Sequence, residues 1–331
     1  MDDEACALGD VKKLLFSDNN YLVPRMDVSE IQREGFYIEL IDDSIWVVKG
    51  CCSINDRVIA IPRVVNDVKI KRLGEAMKVV AERYSRYLMR TEFSQEYIPA
   101  VPINDIKHIY KPSKRVCDKI HGEIVDSAHE LLKILDEKGF NAFLTGSLIY
   151  CGVDESSDID IVVYVDDNNV DPRDIIKDLL DKNILIRLSD DETRNIIEKV
   201  SEGLDPLSHI VLLKRSIHEF RFRNHVVSMR YVNCSEFVKK LICSEVKEYR
   251  YYEDSFEIIN DDLGVYTPSI YFSRNSLGEE IVLYSHRIRY ANLRSGDVIR
   301  CKGYIEYIID GSKRFNLDRA TCSLEKSSSM L

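Results

Sequence analysis

The chain reads as an α+β protein of three parts, and three observations lead to that reading. Short strand-like runs with hairpin-like turns occupy residues 34–62. A stretch alternating amphipathic helix with apolar strand occupies residues 115–235. Short β-like runs broken by Gly-containing turns follow Asp261-Asp262. Alternating helices and strands predict helices packed on a sheet, whereas clustered short strands predict a separate barrel or sandwich. The expected division is a mixed N-terminal domain over 1–110, an α+β domain over 115–235, and a helix plus small β-barrel-like domain over 236–331.

The elements follow from local pattern. Phe36–Leu40 and Ile45–Val48 flank a polar turn, Ile41-Asp42-Asp43-Ser44, and Arg57–Pro62 supplies a third strand. Over residues 72–90, Leu73, Met77, Val80, Tyr84 and Tyr87 recur at helical spacing. Pro99, Pro102 and Pro112 then punctuate the chain, so residues 100–114 are expected to be a linker. Residues 115–139 are expected to be helical, with Ile120, Ile124, Ala128, Leu131, Leu132 and Leu135 in one stripe and Gly139 as the stop. A strand over 140–145, a helix over 146–152 and a strand over 159–165 follow. Asp171-Pro172 opens another helix, with proline in its first turn. Residues 190–203 are expected to be helical, and Glu219–Arg223 with Val226–Val232 to form a hairpin turning at Asn224-His225. Residues 236–252 are read as a helix. Ile281–Tyr284, Arg287–Tyr290, Asp297–Tyr304 and Ile305–Ile309 are read as short strands of a small barrel or sandwich, by analogy with an OB-fold.

Composition sets the limits. Of 331 residues, 45% are hydrophobic and 31% charged, which describes a soluble globular chain long enough for two or three domains. No apolar run approaches the roughly 18 residues of a membrane span, and MDDEACALGD lacks the basic start of a signal peptide. A cytoplasmic protein with no membrane association is therefore expected. The net charge of −10 is spread along the chain with no basic arm, which argues against strong non-specific nucleic-acid binding. Nine cysteines, an odd count without a Cys-x-x-Cys pair, argue against a disulfide framework and a zinc ribbon. They are expected to be buried thiols. The scarcity of glutamine is a bias common in thermophiles, and in a hyperthermophile an intracellular disulfide becomes possible.

Residues 143–163, FLTGSLIYCGVDESSDIDIVV, carry the chemistry. An apolar run ends in Gly146-Ser147, and Asp158-Ile159-Asp160 begins a second one. Alternate residues of a strand share a face, so Asp158 and Asp160 point the same way with Cα atoms about 6.6 Å apart. Two such carboxylates can share a pair of divalent cations about 3.5–4 Å apart, the arrangement used for in-line nucleotidyl transfer. Gly146 lets a backbone approach a phosphate, the N–H groups of a helix start form an anion site, and Ser147 offers one more donor.

This pattern resembles the DNA polymerase β-like nucleotidyltransferase superfamily, over roughly residues 115–235. The matched positions are Leu144 or Thr145, Gly146, Ser147, Asp158, Ile159, Asp160 and Ile161. The resemblance implies a mixed sheet with helices, Gly146 and Ser147 on the triphosphate, and Asp158 and Asp160 on two Mg2+ ions. It implies a nucleoside triphosphate as substrate, with ATP the expected donor, and a hydroxyl acceptor that the sequence does not name, RNA among the candidates. The oligomeric state is not implied. The stretches EGFYIELIDDSIWVVKG, RVIAIPRVV and AVPINDIKHIYKP resemble the extension preceding this unit in uncharacterised archaeal proteins expected to be nucleotidyltransferases.

One family feature is missing. The strand expected to carry a third acid, the usual general base, reads VVSMRYV, with Ser228 and Arg230 at its central polar positions. Glu219 on the neighbouring strand either replaces that acid or is a surface charge near Arg221 or Arg230. Asp190 and Asp191 are further candidates, although acids are common at a helix start for dipole reasons. Arg221, Arg223 and Arg230 either contact a triphosphate or form an exposed face. Lys239-Lys240 and Lys111–Arg115 read as solvated ends, and His121 and His129 as structural. Tyr249, Tyr251 and Tyr252 near Arg250 either stack on bases or bury one side of a helix. Arg287, Arg289 and Arg294 on the terminal β domain are the leading candidates for a nucleic-acid face, the alternative being an ordinary solvated surface. The alternative to an active enzyme is a degenerate transferase domain that binds nucleotide or RNA without turnover.

Overall fold

The computed structural model describes residues 28–154, 157–165, 171–200 and 202–328. Among these residues the strands form three sheets, and together with seven α-helices they make an α+β architecture.

The N-terminal part opens with α1 (Val28–Ile31), β1 (Tyr37–Leu40), β2 (Ile45–Val48), β3 (Arg57–Val65) and β4 (Val68–Lys69). Helix α2 (Leu73–Arg83), β5 (Leu88–Thr91), β6 (Ser94–Pro102) and β7 (Ile106–Tyr110) follow. They form a seven-stranded sheet in the order β5-β6-β3-β2-β1-β7, with β4 on β3. Its core is built on Trp46, fully buried with its indole N–H donating to Ser44 Oγ at 2.8 Å. Tyr84 and Tyr87 pack on that ring from outside the helix: α2 ends at Arg83, short of the expected 72–90 span. Nor is 100–114 wholly a linker, because β7 pairs with β1; the connection occupies 111–122.

The central part contains α3 (Glu123–Glu137), β8 (Ala142–Leu144), β9 (Ile159–Tyr164), α4 (Pro172–Asp181), α5 (Asp190–Val200), α6 (Pro206–Lys214), β10 (Glu219–Phe222) and β11 (His225–Val232). The sheet order is β10-β11-β9-β8, with β9 and β11 parallel. Helix α3 starts at Glu123, later than expected, and buries Ala128, Leu131, Leu132 and Leu135. Asp171 caps α4 by accepting from the Arg173 N–H at 2.8 Å. The expected helix over 146–152 is a single 3-10 turn, Gly146–Leu148. The β10–β11 hairpin turns at Arg223-Asn224, where Arg223 has φ 51°.

The C-terminal part begins with α7 (Glu236–Ile242), then β12 (Val246–Asn260), β13 (Tyr266–Thr267), β14 (Ser269–Arg274), β15 (Glu280–Ser285), β16 (Val298–Ile308), β17 (Lys313–Asn316) and β18 (Thr321–Lys326). The two-residue β13 joins β11 of the central sheet. The others close on themselves: β12 pairs β14, then β15, β17 and β16 follow, and β16 returns to β12. Only β15–β17 is parallel in this five-stranded ring, and β18 is added on β16. Closure removes the open edges a flat sheet would leave. Phe256, Leu283, Ile299, Ile305 and Phe315 fill the interior. Two expectations are corrected here. Residues 246–252 belong to a 15-residue strand rather than a helix, and Arg287–Tyr290 contains a 3-10 turn rather than a strand.

The cysteines depart furthest from expectation. Cys51–Cys234, Cys52–Cys243, Cys117–Cys151 and Cys301–Cys322 are disulfides, and Cys6 lies outside the described residues. The first two span 183 and 191 residues and tie the N-terminal sheet to the segment between the central sheet and the barrel. Pairing at such separations is a product of the tertiary fold, which cysteine spacing alone does not show.

Candidate functional site

Strand β9 decides where the site lies. Its side chains alternate, so Ile159, Ile161 and Val163 enter the core under α3 and α4, while Asp160, Val162 and Tyr164 face the N-terminal sheet. Val162 and Tyr164 fill the far end of that second interface. Asp158 and Asp160 fall at its open end, where a cleft of about 800 Å³ separates the three parts of the molecule.

The Gly-Ser turn and Asp160 are built around each other. Gly146 has φ 65°, and a Cβ there would stand 2.2 Å from Asp160 Oδ2. Glycine is therefore required both for the left-handed backbone and for the space. The Thr145 N–H donates to the Asp160 carbonyl at 2.9 Å, and the Thr145 hydroxyl donates to the Gly35 carbonyl. Ser147 lines the same cleft. Because the turn is a 3-10 turn, no long helix dipole is available, and any anion site here rests on local N–H groups.

Register brings Glu219 into the same row. Asp160 lies beside Ser228 on β11, and Ser228 lies beside Glu219 on β10. The three share one face, with Asp160 and Glu219 about 10 Å apart at the backbone, two interstrand spacings. Glutamate reaches one methylene further than aspartate, which suits a position one strand more distant. Burial pushes the Glu219 carboxyl up to about 7, with Arg230 opposing and the Asp158 charge adding to the rise. Asp160 is raised to about 6 by burial and by Asp158, against Arg230, Arg63 and Lys49.

Asp158, Asp160 and Glu219 thus line the same cleft, but they do not form one ligand cluster. Among the described residues no group of three or more His, Cys, Asp or Glu stands close enough to hold a metal. The magnesium implied by the resemblance is tested by the donors present. Asp158 and Asp160 are hard oxygen donors on one face, and the repulsion felt by Asp160 is what a divalent cation relieves. Magnesium commonly takes one or two carboxylates and completes its shell with substrate phosphates and water, so this pair fits it.

The remaining candidates separate clearly. Arg230 lines the cleft, while Arg221 and Arg223 pair with Glu192 and Glu130. Asp190 and Asp191 are exposed on the first turn of α5, beside Lys214 at 3.6 Å and Arg194 at 3.1 Å. His121 and His129 are exposed and far from any metal set. Arg287 and Arg289 enter the cleft from the barrel, and burial lowers Arg289 to about 10.

Sequence reasoning missed the contribution of the N-terminal sheet. Tyr37, Lys49 and Arg63 line the cleft, and Tyr37 packs on Tyr150 at 5.2 Å. Buried Glu34 accepts from Lys49 and from the Gly50 N–H at 3.0 Å, and stands 3.7 Å from Arg230. Burial lowers Lys49 to about 8 despite Glu34. Lys49 directly follows the apolar β2 and Arg63 shares β3 with Arg57, and no spacing marks either of them.

No family model matches the chain, and no solved structure matches it. Uncharacterized protein MJ1086 of Methanocaldococcus jannaschii is similar, 25% identical over 269 residues, or 76% of this chain and 78% of that protein. Among the described residues no helix is long and apolar enough to cross a membrane.

Proposed function

We propose that the protein is a polymerase β-like nucleotidyltransferase that moves a nucleoside monophosphate from a nucleoside triphosphate, ATP the expected donor, to a hydroxyl acceptor. One observation carries this reading: Asp160, Ser228 and Glu219 stand in one row across three strands, in a cleft that the Gly146 turn also enters. Gly146 and Ser147 receive the β- and γ-phosphates. Asp158 and Asp160 would hold magnesium, which supplies charge neutralisation at the triphosphate. Arg63 on the N-terminal sheet and Arg230 on the central sheet add positive charge to the same cleft. The acceptor oxygen bonds to the α-phosphorus as the bond to pyrophosphate breaks. Glu219, poised at about 7, takes the hydroxyl proton, and pyrophosphate leaves with the bonding electron pair.

A thermal-shift titration with the four nucleoside triphosphates, with and without magnesium, tests this directly, since binding to the native state raises Tm. The expected result is a magnesium-dependent rise that disappears in Asp158→Asn/Asp160→Asn. No shift with any nucleotide overturns the reading.

Binding without turnover is the second reading, favoured by the absence of a three-carboxylate ligand cluster. Glu219→Gln separates the two. Lost pyrophosphate release with retained nucleotide binding supports transfer, whereas a wild type that binds nucleotide and releases no pyrophosphate supports binding alone.

A further inference from the structure

We propose that the acceptor is a small hydroxyl compound carrying one oxyanion, and that Arg289 and His209 hold that oxyanion on the Glu219 side of the cleft. This rests on the nucleotidyltransferase reading and adds the chemistry of its second substrate.

The cations of the cleft fall into two sets. Arg230, Arg63 and Lys49 act on Asp160, on the side given to the triphosphate. Glu219 lies beyond Ser228, on the edge strand β10. The barrel is tied to the approach to that strand, where the Ile217 N–H donates to Asn292 Oδ1 at 3.3 Å. From the same barrel segment the charge of Arg289 is felt at Glu219. A general base must face the hydroxyl it deprotonates. The acceptor therefore belongs on this side of the row, and Arg289 is the cation it meets.

Arg289 is open to such a ligand. Of the barrel arginines that line the cleft, Arg319 is paired with Glu96, and Arg287 stands 3.5 Å from Glu202 and 3.7 Å from Asp318. Arg289 has no carboxylate at ion-pair distance among the described residues, and its Nη1 donates to the Glu202 backbone carbonyl. A half-buried guanidinium without a counter-ion is costly. Its Nε and Nη2 remain as a fork suited to one oxyanion.

His209 adds a second, independent sign of a missing partner. Helix α6 packs against the 3-10 turn that carries Arg289, and His209 lines the cleft from that helix. The residue is 2% exposed, and its Nδ1 has no hydrogen-bond partner. Burial and the Arg289 charge hold the ring neutral, so it offers one N–H beside the guanidinium. Buried polar groups are nearly always satisfied, and a single phosphate or carboxylate would satisfy both side chains. A polyanion would need a row of free cations, and the neighbouring barrel arginines are already paired. With the oxyanion held there, the acceptor's hydroxyl oxygen would bond to the α-phosphorus, its proton would go to Glu219, and pyrophosphate would leave with the bonding electron pair.

The test begins with thermal-shift titrations of the full chain with inorganic phosphate and with acetate, in EDTA and without nucleotide. One of the two ions is expected to raise Tm saturably, and which one does so separates a phosphate from a carboxylate. Arg289→Gln and His209→Gln should each weaken that binding by about tenfold, the scale of a hydrogen bond to a charged group, while Arg63→Gln retains it. Should circular dichroism show Arg289→Gln unfolded, Arg289→Lys, which keeps the charge and loses the fork, replaces it. ATP with magnesium should bind together with the ion rather than displace it. Pyrophosphate release is then compared with glycerol, glycerol 3-phosphate and glycerate as acceptors. The one bearing the selected anion should have a KM about tenfold below that of glycerol, and Arg289→Gln should remove the difference. No ion response, equal affinity in the Arg289 and His209 variants, loss in Arg63→Gln or displacement by ATP overturns the proposal and leaves the nucleotide reading standing. Absence of a preference over glycerol overturns the acceptor role. An ion response that depends on Arg289, with no nucleotide bound and no pyrophosphate released, overturns that role together with the reading beneath it.

Discussion

Strand β9 has two faces with opposite chemistry, and their difference explains how one short segment serves both fold and site. Ile159, Ile161 and Val163 are buried under helices and hold the central sheet together. Asp158 and Asp160, on the other face, are crowded carboxylates that cost stability, since burial and mutual repulsion raise Asp160. The first face is secured by apolar packing. The second is held by the N-terminal sheet, whose attachment includes two disulfides, the Tyr164 hydroxyl donating to the Glu34 carbonyl at 3.0 Å and Arg230 standing 3.7 Å from the buried Glu34 carboxylate. A face that is locally unfavourable needs such support from outside its own domain.

The largest effect is expected on the packed face. Ile161→Ala should lower the unfolding free energy by about 2–5 kcal/mol, measured by urea denaturation, with nucleotide affinity of the folded fraction unchanged. A comparable loss of affinity would show that the two faces are not separable. Next in size is the clamp. Cys52→Ser with Cys243→Ser should cost about 2–4 kcal/mol and weaken nucleotide binding as well, because Lys49, Gly50 and Cys52 all line the cleft. An unchanged Tm in that variant, or in wild type under strong reductant, would remove the clamp from the account.

Gly146→Ala comes next for stability and stands first for function. Its Cβ must displace the Asp160 carboxylate or the turn, at a left-handed φ that costs about 1 kcal/mol for a non-glycine residue. Nucleotide binding should be lost while the sheet stays folded, checked by titration beside circular dichroism. Retained affinity would separate the turn from the nucleotide.

Legibility differed between these regions for physical reasons. The Gly-Ser turn, the Asp pair and the apolar runs of β8 and β9 are local signals, and each stands within a few residues of its expected place. Helix α6 escaped because PLSHIVLLK is apolar on all sides and shows no stripe. Its available signal was Asp205 before Pro206, a cap that accepts from the Leu207 and Ser208 N–H groups. The first half of β12 is exposed on both faces, so no period-2 apolar pattern marks it as a strand. Closure of the barrel, the four disulfides and the entry of Lys49 and Arg63 into the cleft are long-range outcomes of packing.

The effect confined to one range of pH is also the sharpest test of the second face. Glu219 has a folded pKa of about 7 against an ordinary value of 4.5. Between those values the folded state binds more protons than the unfolded chain, so stability falls as pH rises through that window and levels off above it. Asp160 acts in the same direction between 3.8 and about 6. Glu219→Gln removes one of these two slopes. At pH 8 the variant should therefore be more stable than wild type by about 1–2 kcal/mol, taking roughly 1.4 kcal/mol per pKa unit and allowing for solvent screening. At pH 5 the two should nearly coincide. Pyrophosphate release by the wild type should rise with pH through about 7 as Glu219 ionises, and whatever trace of release the variant retains should not follow that rise. A Glu219→Gln protein no more stable at pH 8, yet still active with an unchanged pH profile, would return Glu219 to the role of an ordinary strand residue and leave the aspartate pair without a base.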